Sequence, residues 1–126
     1  MDEDTLLSLL DQWESVYKKG LLTFWLLLLL HERPMYAFEM GERLAEVSQG
    51  TVTADDKSLY RALRRFEAMD LVESAWQPSD VGPRRRYYEL TPLGLELLKR
   101  FTERNVLLFQ EPDVAARLTN LLEAGQ

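Results

Sequence analysis

The chain has 126 residues, and its 15 basic and 21 acidic side chains give a net charge of −6. This length predicts one domain, and a hydrophobic content of 46% supplies enough apolar side chains for a core, which argues against wholesale disorder. Because the chain has no cysteine, disulfides, thiolate metal sites and thiol nucleophiles are excluded, and a cytoplasmic location is expected. An acidic chain is not a general polyanion binder, so any affinity for nucleic acid has to be local.

The first thirty residues are predicted to form two helices. Asp4 or Thr5 can cap a first helix that ends near Lys19. Gly20 then separates it from a second helix over residues 21–30, or kinks it into that helix. This second segment is apolar but shorter than the roughly 20 residues of a bilayer span, and the segment before it is acidic, so we predict a core helix and no membrane contact. The first helix carries an apolar stripe at helical spacing, formed by Leu6, Leu9, Leu10, Trp13, Val16 and Tyr17.

A third helix is predicted over residues 36–47, because Pro34 disfavours a helical conformation in the residue before it and so ends the preceding helix. The β-branched residues 51–53 that follow are expected to be extended. The inward side chains of the third helix are expected to be Phe38, Met40, Leu44 and Val47.

A cationic helix begins after Asp55 or Asp56, either of which can cap it, and ends near Asp70. At about 100° per residue, its polar face covers roughly 140° and its apolar face lies opposite. A helix with one buried side and one arginine-rich side suits the DNA major groove. The polar face comprises Lys57, Tyr60, Arg61, Arg64 and Arg65. The apolar face comprises Leu59, Ala62, Leu63, Phe66 and Met69.

Charge is distributed unevenly along the chain. Residues 57–89 hold seven basic and five acidic side chains, a net charge of +2. The remaining residues hold eight basic and sixteen acidic side chains, a net charge of −8. A local basic patch on an acidic body predicts nucleic-acid binding that is confined to the patch and sensitive to salt.

A β-hairpin is predicted next, with strands over residues 71–77 and 84–90 and a loop over residues 78–83. Its second strand begins with three arginines. Arg84 and Arg86 lie on one side of that strand and Arg85 on the other, so they cannot all contact DNA from one face. Arg84 and Arg85, being nearer the loop, are favoured over Arg86 as contacts. On the other strand, Trp76 is expected to pack at the base of the hairpin.

Thr91 and Pro92 open a further helix that runs to about Gln110, and a short final helix starts at residues 111–113. The fold class is therefore mainly α (α+β), a winged helix-turn-helix with flanking N- and C-terminal dimerisation helices. We assign residues 1–19 to an N-terminal dimerisation helix, 20–91 to the DNA-binding domain and 92–126 to C-terminal dimerisation helices. The dimerisation contacts are predicted to be Leu6, Leu9, Leu10, Trp13, Leu98, Phe101, Leu107 and Leu108.

Residues 20–101 resemble the PadR-like family of transcriptional regulators. The longest match is GPRRRYYELTPLG, residues 82–94, which is similar to the family's wing strand and following helix start. LYRALRRFE, residues 59–67, resembles its leucine-tyrosine-proline-alanine-leucine recognition helix, and PMYAFEM, residues 34–40, resembles its proline and glycine-tyrosine-glutamate segment. The leucine run after Gly20 is similar to its first core helix. The resemblance implies a dimeric DNA-binding repressor, often controlled by a small molecule.

Three departures from the family pattern are expected to change which DNA sequence is read. Ala37-Phe38 replaces glycine-tyrosine and removes a hydroxyl. Asp55-Asp56 occupies a turn that is usually neutral, and carboxylates there either cap the helix or accept from cytosine amino groups, with capping favoured. Arg61 replaces a proline and adds a charge to the groove side.

The predicted DNA contacts are Lys57, Ser58, Tyr60, Arg61, Arg64, Arg65, Arg84, Arg85 and Arg86. Arg61 and Arg64 are assigned to guanine edges, and Lys57 and Ser58 to phosphates near the helix start. Tyr60 either resembles the family's DNA-contacting tyrosine in role or packs half-buried. The expected function is sequence-specific transcriptional regulation by a homodimeric repressor on a palindromic operator in double-stranded DNA.

The alternatives to this function are an enzyme, an effector-binding protein and a protein-binding adaptor. His31 is the only histidine and no nucleophile or phosphate-loop motif is present, so we expect neither an enzyme nor a metal site or cofactor. Trp13, Trp25 and Phe109 either belong to the core or line a cavity for a small-molecule effector. The acidic body and Asp55-Asp56 favour the alternative function, a winged-helix adaptor that binds protein instead of DNA.

Overall fold

The computed structural model describes residues 2–125. They form a winged helix-turn-helix with flanking helices at both ends, as the sequence predicts. A three-stranded antiparallel sheet has the strand order β1-β3-β2. In chain order the elements are α1 (Glu3–Glu32), β1 (Met35–Tyr36), α2 (Ala37–Val47), α3 (Asp56–Ala68), β2 (Val72–Ser79), β3 (Gly82–Leu90), α4 (Pro92–Phe101) and α5 (Pro112–Glu123).

Helix α1 is continuous through Gly20, so of the two predicted alternatives the separation into two helices is wrong. A glycine weakens a helix interior without breaking it when both flanking segments favour helix. The helix starts earlier than predicted, because the N-cap is Asp2 and neither Asp4 nor Thr5: the carboxylate of Asp2 accepts a hydrogen bond from the N–H of Asp4 at 3.2 Å. Only the second half of α1 enters the core, through Leu26, Leu27, Leu29 and Leu30.

Strand β1 is the short extended segment of the fold, and it precedes α2. Met35 pairs with Tyr88 and Tyr36 with Tyr87 on β3. Sequence reasoning placed Tyr36 inside the third helix, whereas it is the N-cap residue of α2. Residues 51 and 52 form a bend and residue 53 has no regular secondary structure, so the extended segment expected at residues 51–53 is not formed.

Helices α2 and α3 pack their apolar faces together in the core. The buried residues are Ala37, Met40 and Leu44 on α2, and Leu59, Ala62, Leu63 and Phe66 on α3. Three residues expected to point inward are exposed: Phe38, Val47 and Met69. Phe38 falls outside the 37/40/44 helical stripe of α2, whereas Val47 continues that stripe but is the last residue of the helix. Met69 is the C-cap of α3, where the helical periodicity ends.

Strands β2 and β3 form the predicted hairpin, longer than expected. The pairing runs from Val72 with Leu90 to Ser79 with Gly82, with an irregularity between Gln77 and Ser79. Both strands therefore extend into the segment predicted as a loop. The wing consists of these two strands and their connecting turn.

Helix α4 starts as predicted, with Thr91 as N-cap and Pro92 in its first turn. The Thr91 hydroxyl accepts from the N–H of Gly94 at 3.0 Å and donates to the carbonyl of Asp70 at 2.7 Å. A Cβ atom at Gly94 would lie 2.2 Å from the carbonyl oxygen of Leu71, so only glycine allows this close approach. The start of α4 is thereby held against the end of α3.

The helix predicted from Pro92 to Gln110 is helical throughout but not uniformly α-helical. A π-helical turn (Thr102–Val106) and a 3-10 turn (Leu107–Gln110) connect α4 to α5. Helix α4 packs on α1, where the rings of Phe101 and Phe24 lie 5.7 Å apart between centroids. Within residues 2–125, no helix combines the length and hydropathy needed to cross a bilayer.

Candidate nucleic-acid interface

The predicted cationic face is exposed on α3. Lys57, Tyr60, Arg61, Arg64 and Arg65 are all exposed, while the apolar side of the helix is buried. The face is presented because the buried leucines and Phe66 fix the rotation of α3 about its axis. The sequence prediction of an amphipathic cationic helix is thereby confirmed.

Asp55 is the N-cap of α3, which confirms one of the two predicted caps, Asp55 and Asp56. Its carboxylate accepts a hydrogen bond from the N–H of Ser58 at 2.8 Å. This bond to Ser58, followed by one to the Ser58 side chain, lowers the pKa of Asp55 below its ordinary value. Asp55 is therefore ionised at neutral pH and engaged with the helix N-terminus. Asp56, the first residue of α3, makes no such bond.

Helix α3 and the wing line one cleft, which we call the α3–wing cleft. Its volume is about 410 Å³. Both predicted DNA-binding elements therefore face the same side of the molecule. The residues that line the cleft are Tyr36, Ala37, Tyr60, Arg64, Glu67, Trp76, Arg84, Arg85, Arg86 and Tyr88.

The wing arginines diverge as the strand geometry predicts. The guanidinium of Arg84 lies 5.8 Å from the ring centroid of Trp76, and that of Arg85 lies 4.5 Å from the ring centroid of Tyr36. Such contacts orient a guanidinium while leaving its N–H groups free to donate. Trp76 is 57% exposed and lines the cleft, so its predicted packing at the wing base is wrong. The Trp76 ring instead packs against the guanidinium groups of Arg84 and Arg86.

Arg86 is held by the protein's own side chains. Its Nη2 donates to both carboxylate oxygens of Glu67, each at 3.1 Å, and its Nε donates to the hydroxyl of Ser74 at 2.9 Å. Sequence reasoning grouped Arg86 with the DNA contacts and missed Glu67 and Ser74. The signal was present in the strand register, because Ser74 and Trp76 are on the same face of β2 as Arg86 is on β3.

Other predicted contacts lie outside the α3–wing cleft. Ser58 borders a second, open recess of about 610 Å³ between α1 and the start of α3, together with Lys18 and Lys19. The guanidinium of Arg65 lies 5.6 Å from the ring centroid of Phe66. Lys57 and Arg61 line neither recess and project from α3 into solvent.

The predicted dimerisation residues divide into two groups. Leu98 is only 4% exposed and belongs to the core of the protomer, so it cannot offer a surface to a second copy, and Phe101 is half-buried against Phe24. The core includes Leu98 because α4 packs on α1. The other six are exposed: Leu6, Leu9, Leu10, Trp13, Leu107 and Leu108.

The aromatic residues considered for an effector cavity do not converge. Trp13 and Phe109 are exposed, whereas Trp25 packs against the core. The indole Nε1 of Trp25 is buried without a hydrogen-bond partner. An apolar recess of about 110 Å³ does occur where α1 meets α4, lined by other residues that include Phe24, Leu97 and Phe101. Among the described residues, no group of three or more His, Cys, Asp or Glu side chains could hold a metal ion.

Known proteins share this architecture. The sequence pattern of the transcriptional regulator PadR-like family matches residues 26–100. A PadR-like transcription factor from Bacteroides fragilis is 31% identical, with a TM-score of 0.64 over 79% of this chain and 93% of that one. A PadR-like transcriptional regulator from Bacillus cereus is 28% identical, with a TM-score of 0.64 over 83% of this chain and 94% of that one.

A structure of Bacillus subtilis PadR in complex with operator DNA shares the fold. It is 17% identical to this chain, with a TM-score of 0.62, and the similarity covers 67% of this chain and 48% of that one. This chain therefore matches about half the length of that protein.

Proposed function

This chain belongs to the PadR-like family of transcriptional regulators, and we propose that it represses transcription as a homodimer bound to a palindromic operator. The observation that carries this proposal is that α3 and the wing line one cleft. With α3 in the major groove, the wing reaches the flanking phosphates or the adjacent minor groove. The operator complex of the Bacillus subtilis relative supports DNA as the ligand.

Within that interface, roles follow from position and exposure. Arg61 and Arg64 are exposed on α3 and are assigned to guanine edges, each contributing about 1–3 kcal/mol of discrimination when bidentate. Lys57 and Ser58 lie in the first turn of α3, where phosphate contacts are favoured. Tyr60 is half exposed and lines the cleft, which supports a DNA-facing role. Arg84 and Arg85 are the proposed wing contacts.

The homodimer is supported by the apolar surfaces at the two ends of the chain. In the N-terminal half of α1, Trp13 is 75% exposed to solvent, and Leu107 and Leu108 are exposed in the segment after α4. A two-fold pair that covers these surfaces would present two α3 helices to half-sites about 34–36 Å apart, one turn of DNA. A small-molecule effector would act where α1 meets α4, next to the apolar recess, because this junction links the dimer helices to the DNA-binding core.

The salt dependence of DNA affinity tests the proposed ligand. We expect the purified protein to bind mixed genomic duplex at low salt and to lose affinity steeply as salt rises, since each neutralised phosphate contributes a slope of about −0.9 in log K against log salt. Absence of binding even at low salt would contradict DNA as the ligand and favour the protein-binding adaptor, which the acidic body of the chain suits.

The double substitution Arg61→Ala with Arg64→Ala tests the recognition helix. We expect a loss of about 2–6 kcal/mol of operator binding, the sum of two contacts. Lys99→Ala with Arg100→Ala removes the same charge from the exposed part of α4 and serves as the control. Affinity is measured by fluorescence anisotropy and dimer size by sedimentation. Equal losses in the two double variants would refute the assignment of α3 as the reading element.

A further inference from the structure

One guanidinium connects the wing to the recognition helix. Arg86 on β3 bonds to Glu67 on α3 through Nη2 and to Ser74 on β2 through Nε, at distances of 2.9–3.1 Å. Its Cζ also lies 5.8 Å from the ring centroids of Trp76 and Tyr88. Three elements of the α3–wing cleft thus meet at a single side chain.

The environment of this cluster strengthens the contact. The Arg86 and Glu67 side chains are 40% and 32% exposed, so water screens the pair less than it screens a fully exposed pair. Hydrogen bonds between ionised partners are stronger than neutral ones, and Ser74 holds the guanidinium from a second direction. The aromatic rings of Trp76 and Tyr88 cover it further.

Arg84 and Arg85 differ from Arg86 in the hydrogen bonding of their guanidinium groups. Their guanidinium groups lie over Trp76 and Tyr36, but in the described chain they form no hydrogen bond or ion pair. Their N–H groups are therefore free to donate to phosphate, whereas Arg86 donates to Ser74 through Nε and to Glu67 through Nη2. The three consecutive arginines thus do not share one role.

We propose that Arg86 and Glu67 are positioning residues that fix the angle between the wing and α3. This inference rests on the proposed DNA binding, and it assigns Arg86 a role other than the phosphate contact expected from sequence. The wing has few other polar attachments to α3, because Arg86 supplies the only side-chain hydrogen bonds between them in the described chain. Fixing the angle directs Arg84, Arg85 and the α3 arginines to the same half-site and so reduces the conformational entropy that is lost on binding.

Substitution of Glu67 separates positioning from competition. If Arg86 were a phosphate contact that Glu67 merely occupies in the free protein, Glu67→Ala would release it, remove a negative charge and raise the affinity for DNA. Positioning requires the opposite, a loss of about tenfold, comparable to one charge-assisted hydrogen bond. Glu67→Gln keeps an oxygen that accepts from Arg86 and should recover part of that loss. Increased affinity in Glu67→Ala would overturn the proposal.

The salt slope gives a second readout on the same protein. Arg86→Met should weaken binding to duplex DNA while leaving the slope of log K against log salt unchanged, since no phosphate contact is removed. Arg84→Met is the matched control and should reduce the slope by about 0.9. A reduced slope in Arg86→Met as well would show a phosphate contact and overturn the positioning role.

Hydrogen exchange in the free protein keeps this test independent of DNA binding. The amides of β2 and β3 should exchange faster in Glu67→Ala than in the wild type, with the amides of α2 as internal reference. Unchanged exchange in the wing would refute the positioning role even if the protein binds DNA. Conversely, wild-type protein that binds no duplex would refute the proposed function, while faster exchange in the variant would still support the link between wing and helix.

Discussion

The middle and the two ends of the chain use their apolar side chains in opposite ways. The buried apolar side chains of the core, Phe66 among them, lie between Leu26 and Leu98 and form one cluster, although a few apolar residues of this stretch, such as Val47 and Val81, are exposed. Before Leu21 and after Phe101, apolar residues of the same types are exposed, including Trp13, Phe109 and Leu122. The difference shows that the middle completes its own core, whereas the ends have surfaces that a single protomer leaves uncovered.

This difference agrees with the extent of the family match, which covers residues 26–100. The ends nevertheless keep helical spacing of their apolar residues, as in Leu6, Leu10, Trp13 and Tyr17 on α1. A helix with an apolar stripe and no partner in the protomer favours association with a second copy. We therefore expect substitutions in the two regions to change different measured quantities.

Phe66→Ala should give the largest effect on stability. Phe66 is 0% exposed in the centre of the core, and its truncation should lower the free energy of unfolding by about 3–5 kcal/mol. Phe109→Ala is the matched control in the C-terminal region, where the side chain is 55% exposed. It should change protomer stability by less than about 1 kcal/mol. Denaturant titration at low protein concentration measures both, and similar losses would contradict the division between middle and ends.

Trp13→Asp should change association more than protomer stability. An interfacial tryptophan typically contributes at least about 2 kcal/mol, so the dissociation constant of the dimer should rise about 30-fold. Ser8→Asp adds the same charge on the opposite side of α1 and should leave the dimer intact. Sedimentation over a concentration series measures this difference. A wild-type protein that is monomeric at every concentration would remove the proposed role of the exposed stripe.

Alanine substitutions at two glycines, one in the middle of the chain and one in the N-terminal helix, should change stability in opposite directions and by smaller amounts. Gly94→Ala should destabilise the protein by about 1–3 kcal/mol, because the new Cβ meets the carbonyl oxygen of Leu71. Gly20→Ala should stabilise α1 by about 0.5–1 kcal/mol, since nothing lies within 4 Å of its Cβ position and the helix is continuous there. Thermal unfolding distinguishes the two signs. A destabilising Gly20→Ala would indicate that this position contacts another copy.

Local sequence rules predicted most of the fold. The caps at Asp55 and Thr91, the amphipathic α3 and the β-hairpin all depend on residues within a few positions of one another. Gly20 misled the helix boundary because its intrinsic helix propensity is low, but the strong helix formers on both sides outweigh one weak position. Strand β1 has only two residues, Met35 and Tyr36, too few to show a periodic pattern.

The site was less predictable, because its partners are distant in sequence. Arg86 and Glu67 are 19 residues apart, and their contact depends on how the wing packs against α3. Trp76 was expected to be covered, yet it is 57% exposed, and the guanidinium groups of Arg84 and Arg86 on the adjacent strand lie near its ring. Leu98 has the spacing of a surface stripe, and only the packing of α4 on α1 shows that it is buried.

The central claim is that α3 and the wing meet the same stretch of DNA, and tethered cleavage tests it most directly. Because the chain contains no cysteine, Asp56→Cys at the start of α3 and Val81→Cys at the wing turn each provide one attachment point for an iron-based cutting reagent. On duplex fragments selected from random DNA, both labelled proteins should cut within one half-site, at adjacent grooves. Bound protein that cuts from α3 but never from the wing, or from the wing but never from α3, would contradict the account.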